Sequence, residues 1–214
     1  APDTWANFGS YLFDAIWDCD GPDELCCELC EGWNMWSYNI VVPDSSRENV
    51  LQTIDLNYFA VRSGLCDYGS ISWFSNRPVN DLSYVPNTYG YDIYMLQTDT
   101  ICLSGEFIDP TTPIYLCEGW NYIPYWPSSM GGLAPALASL DGNYSHIRTM
   151  QCGYGVQSWD ESRPVENNDL WCMEPCKGYW INMKSEDTLI YPAEPEGCFT
   201  LAKTGASSST GRAT

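Results

Sequence analysis

The chain has 214 residues, a formal charge of −19 from 28 acidic and 9 basic side chains, 11 cysteines and 14% aromatic residues. In so acidic a chain nucleic acid and anionic membrane surfaces are not the expected partners, because phosphate recognition over an extended contact needs a positive surface. No run approaches the roughly 18 apolar residues of a membrane helix, so no membrane insertion is expected. The cysteine load, with no C-x-x-C-H haem signature, implies disulfides in an oxidising compartment, hence secretion to the extracellular space or cell surface.

Residues 1–29 form an N-terminal segment. No basic and then apolar leader precedes Ala1, as expected of an already processed chain. Asp18-Cys19-Asp20-Gly21-Pro22-Asp23-Glu24 gathers carboxylates around a glycine turn. Hard oxygen ligands on a tight loop suit calcium, which makes Asp18, Asp20, Asp23 and Glu24 candidate ligands. The EF-hand pattern is absent, and a solvated acidic turn is the alternative. Cys26-Cys27-x-x-Cys30 lacks the second pair and the histidines of a zinc ribbon, so disulfides are favoured over zinc. Adjacent Cys26 and Cys27 on a strand point to opposite faces and should bond two different partners.

At Cys30 the chain enters a repeat. Cys30-Glu31-Gly32-Trp33-Asn34 returns as Cys117-Glu118-Gly119-Trp120-Asn121. The first copy is followed by Leu51, Asp55, Asn57, Tyr58, Arg62, Cys66, Trp73, Arg77-Pro78-Val79 and Asn80-Asp81-Leu82. The second is followed by Leu137, Asp141, Asn143, Tyr144, Arg148, Cys152, Trp159, Arg163-Pro164-Val165 and Asn168-Asp169-Leu170. A period of about 87 residues with small drift is what loop insertions between fixed elements produce. The expected organisation is therefore module 1 over 30–110, module 2 over 111–195, and a C-terminal strand with a polar tail over 196–214.

In module 1, residues 33–42 are rich in β-branched and aromatic residues and predict a strand. Pro43-Asp44-Ser45-Ser46 ends it and supplies a cap for a helix over 47–54. In module 2 the strand is 120–126 and the helix 133–140, with Pro135 in its first turn. Tyr91, Ile93 and Met95 alternate with Gly90, Asp92 and Tyr94, and Tyr179, Ile181 and Met183 alternate likewise, the period of half-buried strands. The fold class is β-rich α+β, two tandem homologous modules of short antiparallel strands with one short helix each, stapled by disulfides. Matched positions suggest Cys30 with Cys66 and Cys117 with Cys152. Cys172 and Cys176 either close a local loop or each staple something else. With Cys19, Cys102 and Cys198 the total is odd, so at least one cysteine is free, bonded to another chain, or bound to something else.

An enzyme is not expected. The single histidine, His146, aligns with Ala60, and no nucleophile, base and orienter assemble from these motifs. Arg62, Arg77, Arg148 and Arg163 are equivalent between modules and are expected to pair internally with carboxylates such as Asp55 and Asp141, or Asp81 and Asp169. Of the tryptophans, the matched Trp33, Trp73, Trp120 and Trp159 read as core. The unmatched Trp36, Trp126, Trp171 and Trp180 are the candidates for an interface or a glycan platform, since aromatic side chains with a polar handle suit both. Asn143-Tyr144-Ser145 matches the N-glycosylation pattern, and 207–210 an O-linked one.

Gly119-Trp120-Asn121, Asn168-Asp169-Leu170 and Gly178-Tyr179-Trp180-Ile181-Asn182-Met183 resemble a recurrent, uncharacterised accessory domain of secreted and surface proteins of bacteria and archaea, over about residues 30–192. The resemblance implies an extracellular, noncatalytic role and supplies no functional residues. The cysteine load departs from that pattern, as do the ends. Residues 11–17 occupy the place of 98–104, and Cys198-Phe199-Thr200-Leu201 resembles Ile114-Tyr115-Leu116-Cys117, so each end is expected to carry a strand lacking its neighbour. Strand addition between copies would use such edges, whereas folding back onto the same module is the alternative. The expectation is a structural subunit of an extracellular filament, tube or surface assembly, a homopolymer joined by strand complementation and disulfides. The alternative is a secreted glycan-binding or adhesive module.

Overall fold

Two four-stranded antiparallel sheets carry the repeat. The computed structural model describes residues 23–66, 69–152 and 155–198. Module 1 contains β1 (Asp23–Leu29), β2 (Gly32–Trp36), β3 (Ile40–Val41), α1 (Arg47–Val50), a 3-10 turn (Gln52–Ile54), β4 (Tyr58–Leu65), β5 (Gly69–Phe74), β6 (Tyr91–Met95) and β7 (Asp99–Phe107). Module 2 contains β8 (Ile114–Leu116), β9 (Gly119–Ile123), β10 (Gly131–Gly132), α2 (Leu133–Ala136), a 3-10 turn (Ala138–Leu140), β11 (Tyr144–Gln151) and β12 (Gly155–Asp160). It ends with a 3-10 turn (Val165–Asn167), β13 (Cys172–Met173), β14 (Tyr179–Met183) and β15 (Asp187–Leu189). The sheets run β2-β6-β4-β5 and β9-β14-β11-β12, the same order of equivalent strands. Smaller ladders join β1, β7 and β3, β8 with β15, and β10 with β13.

Each sheet buries one face against its own core. In β14, Tyr179, Ile181 and Met183 are buried while Trp180 and Asn182 are only half-buried, the alternation expected of a strand with one face covered. Trp36, Tyr38, Tyr91, Ile93 and Met95 centre the first core, and Tyr125, Tyr179, Ile181, Met183 and Tyr191 the second. The predicted helices shrink to a single turn of α-helix followed by a 3-10 turn. Ser46 does not cap α1, because its hydroxyl donates to Asp44 Oδ2. The predicted strand over 33–42 breaks at Ser37–Asn39, whose polar side chains are buried at the junction with module 2.

The repeated motifs close backbone hydrogen bonds. In each Cys-Glu-Gly-Trp-Asn, the glycine adopts a positive φ (91° at Gly32, 87° at Gly119). The asparagine then plugs the turn: Asn34 Oδ1 accepts from Cys30 N at 3.0 Å and its Nδ2 donates to Cys30 O at 2.7 Å, with Asn121 doing the same for Cys117. The Asn-Asp-Leu turns seal the outer edges of β5 and β12. Asp81 Oδ1 accepts from Ser72 N and Asn80 Oδ1 from Phe74 N; Asp169 and Asn168 treat Ser158 N and Asp160 N alike. An edge strand with its N–H groups occupied offers no template for another chain.

The modules dock reciprocally, residue by equivalent residue. Gly90 approaches Ile123 so closely that a Cβ would stand 2.6 Å from its carbonyl oxygen, and Gly178 meets the Trp36 carbonyl at the same 2.6 Å. Ser63 Oγ donates to Gly90 O, and Thr149 Oγ1 to Gly178 O. Disulfides follow the same exchange: Cys30 bonds Cys152, and Cys66 bonds Cys117. The expected pairs within each module are thus replaced by two bonds between modules, because the ends of β4 and β11 reach across to the Asn-plugged turn of the other copy. Cys26–Cys102 ties β1 to β7, Cys27–Cys176 ties β1 to module 2, and Cys172–Cys198 closes the last segment. Adjacent Cys26 and Cys27 do bond different partners, and Cys172 and Cys176 each staple something else. Such a set belongs to an oxidising compartment.

The described part of the N-terminal segment is β1, the equivalent of β8 in module 2. Residues 25–29 fold back within the chain, pairing in register with β7 from Leu25↔Leu103 to Leu29↔Asp99. The expected strand at 11–17, Cys19, and residues 199–214 lie outside the described residues. No described helix is long and apolar enough to cross a membrane.

Candidate functional site

The face of each sheet turned away from its core holds two rows of side chains, one from each strand. In module 2 the first row reads Tyr122, Trp180, Arg148 and Ser158, and the second Trp120, Asn182, His146 and Asp160. In module 1 the equivalent rows are Met35, Asp92, Arg62, Ser72 and Trp33, Tyr94, Ala60, Phe74. Both modules therefore set an arginine beside a tryptophan on this face, and they differ in what surrounds the pair.

In module 1 the arginine has a carboxylate. Arg62 Nε donates to Asp92 Oδ2 at 2.8 Å while its guanidinium lies 4.4 Å from the centre of the Trp33 ring. Tyr122 reaches across from module 2 and donates its hydroxyl to the same Oδ2 at 3.0 Å. Burial, and then the Asp92 charge, push the Tyr122 phenol far above its ordinary value, so it stays a donor. Module 2 has Trp180 where module 1 has Asp92. Arg148 lies 4.0 Å from the Trp180 ring centre and 5.2 Å from that of Trp120, and among the described residues it has no ion pair.

Ring contacts form one series in each module, and a polar cluster links the two series across the junction. Phe74, Phe59, Tyr94 and Trp33 follow one another in module 1, and Tyr122, Trp180, Trp120 and His146 in module 2, with the Arg62–Asp92–Tyr122 cluster between them. Trp120 is the most open, at 45% exposure. At the far rim His146 Nδ1 stands 3.4 Å from Asp160 Oδ2. Hydrogen bonds from the Ser162 hydroxyl and N–H hold the Asp160 carboxyl below the usual aspartate range, with His146 and Arg163 adding to the effect.

Several expected site residues lie elsewhere. Trp36 is fully buried, stacked 5.3 Å from Tyr38, because module 1 fills with an indole the core position that Ile123 fills in module 2. Trp126 is buried at the seam between modules, where its Nε1 donates to Asn87 O and its carbonyl accepts from Asn39 Nδ2. Trp171 is half-buried in a small cleft with Tyr144 and Trp159. Only Trp180 of the four joins the aromatic face. The matched Trp33 and Trp120, expected in the core, stand instead on that outer face: repetition there preserves the arginine–tryptophan pair and not a core contact.

The charge partners differ as well. Asp81 and Asp169 accept strand N–H groups, and among the described residues Asp55 and Asp141 form no ion pair; Arg62 takes Asp92, Arg163 takes Asp160 at 3.4 Å, and Arg77 covers the Phe74 ring at 3.8 Å. Asp23 and Glu24, two of the four candidate calcium ligands, begin strand β1, where neighbouring side chains point to opposite faces. Asp18 and Asp20 lie outside the described residues. Glu24 does approach Cys26 and Cys102, but both sulfurs are consumed in their disulfide. Asn143 is already engaged, with Nδ2 on Asp187 Oδ2 at 2.7 Å and Oδ1 accepting from Ser185 Oγ. Comparison with protein-family models, curated proteins and solved structures finds no match to the chain.

Proposed function

We propose that this chain is a noncatalytic structural subunit of an extracellular filament, tube or surface assembly, with copies joined by strand pairing and hardened by disulfides. The observation that carries the proposal is a pairing rule inside the chain. β7 pairs with β1 in module 1, and its equivalent β15 pairs with β8, the equivalent of β1, in module 2. By sequence, residues 11–17 correspond to β7 and residues 198–201 to β8. The two segments are thus complementary members of a pair that the chain completes twice internally, and residues 11–17 of one copy fit residues 198–201 of the next.

Cysteine arithmetic supports the same reading. Ten of the 11 cysteines bond one another, so Cys19 has no cysteine of its own chain left to bond. The sealed edges of β5 and β12 also favour growth through the ends over growth through these sheet edges. Light scattering with negative-stain microscopy of the native protein, before and after reduction, tests the proposal. Regular polymers are expected, lost on deletion of residues 1–17 while the near-UV circular dichroism of the modules persists. A homogeneous monomer would overturn it.

A further inference from the structure

The duplication lets one module serve as a reference for the other. Module 1 shows what its arginine–tryptophan pair holds: a carboxylate, Asp92, on Arg62 at 2.8 Å beside the Trp33 ring. Module 2 keeps the arginine and the tryptophan as Arg148 and Trp120 but puts an indole, Trp180, in the carboxylate's place. Arg148 is stacked in position and its N–H groups have no carboxylate among the described residues. In a chain of −19, a stacked arginine without an internal carboxylate is suited to an external one.

The second row says what kind of anion. Where module 1 has apolar Tyr94, Ala60 and Phe74 beside Trp33, module 2 has Asn182, His146 and Asp160 beside Trp120. The Asn182 amide has no hydrogen-bond partner among the described residues. An exposed indole for the apolar face of a pyranose, amide and imidazole groups for its hydroxyls, and a fixed guanidinium for a carboxylate together match one ligand class. We propose that Trp120, Trp180, Arg148, Asn182 and His146 bind a uronic-acid residue of an acidic polysaccharide, the carboxylate on Arg148 and the ring on Trp120. This proposal does not depend on the assembly of copies.

Isothermal titration with tetragalacturonate, against a neutral galactotetraose, tests this. The native protein should bind the uronide and not the neutral sugar, with affinity falling as salt rises. Arg148→Gln should weaken binding about 10- to 100-fold, the range of a lost charge-assisted hydrogen bond. Trp120→Ala should weaken it by a similar factor. Trp180→Asp rebuilds the module 1 arrangement, supplies Arg148 with an internal carboxylate, and should abolish uronide binding with thermal unfolding still cooperative. Equal affinity for both sugars, or uronide binding untouched in Arg148→Gln, would overturn the proposal. So would Arg148→Gln changing only the assembly state, which would make this face a contact between copies.

Discussion

Leu56 sits at φ +64° with 88% of its surface exposed, at the turn where module 2 has Gly142 at φ +74°. A left-handed backbone costs an L-residue about 1–2 kcal/mol that glycine avoids, and glycine's freer unfolded chain returns part of it. Leu56→Gly should therefore raise stability by about 1 kcal/mol, seen as a higher urea midpoint; a lower midpoint would mean that Leu56 makes a contact worth more than its strain. Next to this turn, Asn57 donates to Asp99 and Asn143 to Asp187, and these amides, followed by the next residue's N–H, hold both carboxyls below the usual 3.8. A depressed folded value means the stabilisation is present above the unfolded value and is lost as pH falls through the folded one, so the loss lies below about pH 4. The Asp99→Asn, Asp187→Asn double variant should lose less of its urea midpoint between pH 7 and pH 3 than the native chain does. Sequence alignment brings Asn57 with Asn143 and Asp55 with Asp141 into view, but an acceptor some forty residues away, reached only after a sheet closes, leaves no mark in the local pattern. The tryptophans mislead for a related reason. A matched residue keeps whatever its position needs, and at Trp33 and Trp120 that need is a partner for an arginine on the outer face.

Strand existence is largely legible because alternation survives in β6 and β14, and because motifs recur at fixed order. What fails is extent. The helices over 47–54 and 133–140 tighten into 3-10 turns after four residues, since Leu51 and Leu137 leave helical geometry (φ −98°, ψ 14°; φ −102°, ψ 18°) as Ile54 and Leu140 turn into the cores. The strand over 33–42 breaks where Ser37 and Asn39 are taken by module 2. The glycines before the last sheet strands, Gly90 and Gly178, look in sequence like ordinary turn residues, yet each lets its backbone lie against the carbonyl of the other module. Gly90→Ala and Gly178→Ala force a methyl within 2.6 Å of a fixed oxygen. Each should cost about 2 kcal/mol, the scale of overpacking a close contact, with a lower denaturant midpoint. A neutral result at both sites would mean the modules are free to shift apart.

Cysteine pairing belongs to the whole molecule. Cys30 with Cys66 and Cys117 with Cys152 respects the repeat, and Cys30 with Cys152 and Cys66 with Cys117 respects it equally, so equivalence cannot choose between them. The choice is made by docking. With Gly90 on Ile123 and Gly178 on Trp36, the end of β11 lies beside the turn of module 1 and the end of β4 beside that of module 2. Asn34 and Asn121, which plug those turns, have their Oδ1 atoms 3.7 Å from Cys152 Sγ and 3.5 Å from Cys66 Sγ. A single variant separates the alternatives, because only one sulfur is orphaned. In Cys30→Ser, alkylation of the unreduced, denatured chain followed by tandem mass spectrometry should place the new label on Cys152; label on Cys66 would reinstate pairing within modules. The lost bond spans 122 residues, and opening it should cost about 2–5 kcal/mol. Because Cys27–Cys176 and Cys66–Cys117 still join the modules, that loss should lower one cooperative transition instead of splitting it into two.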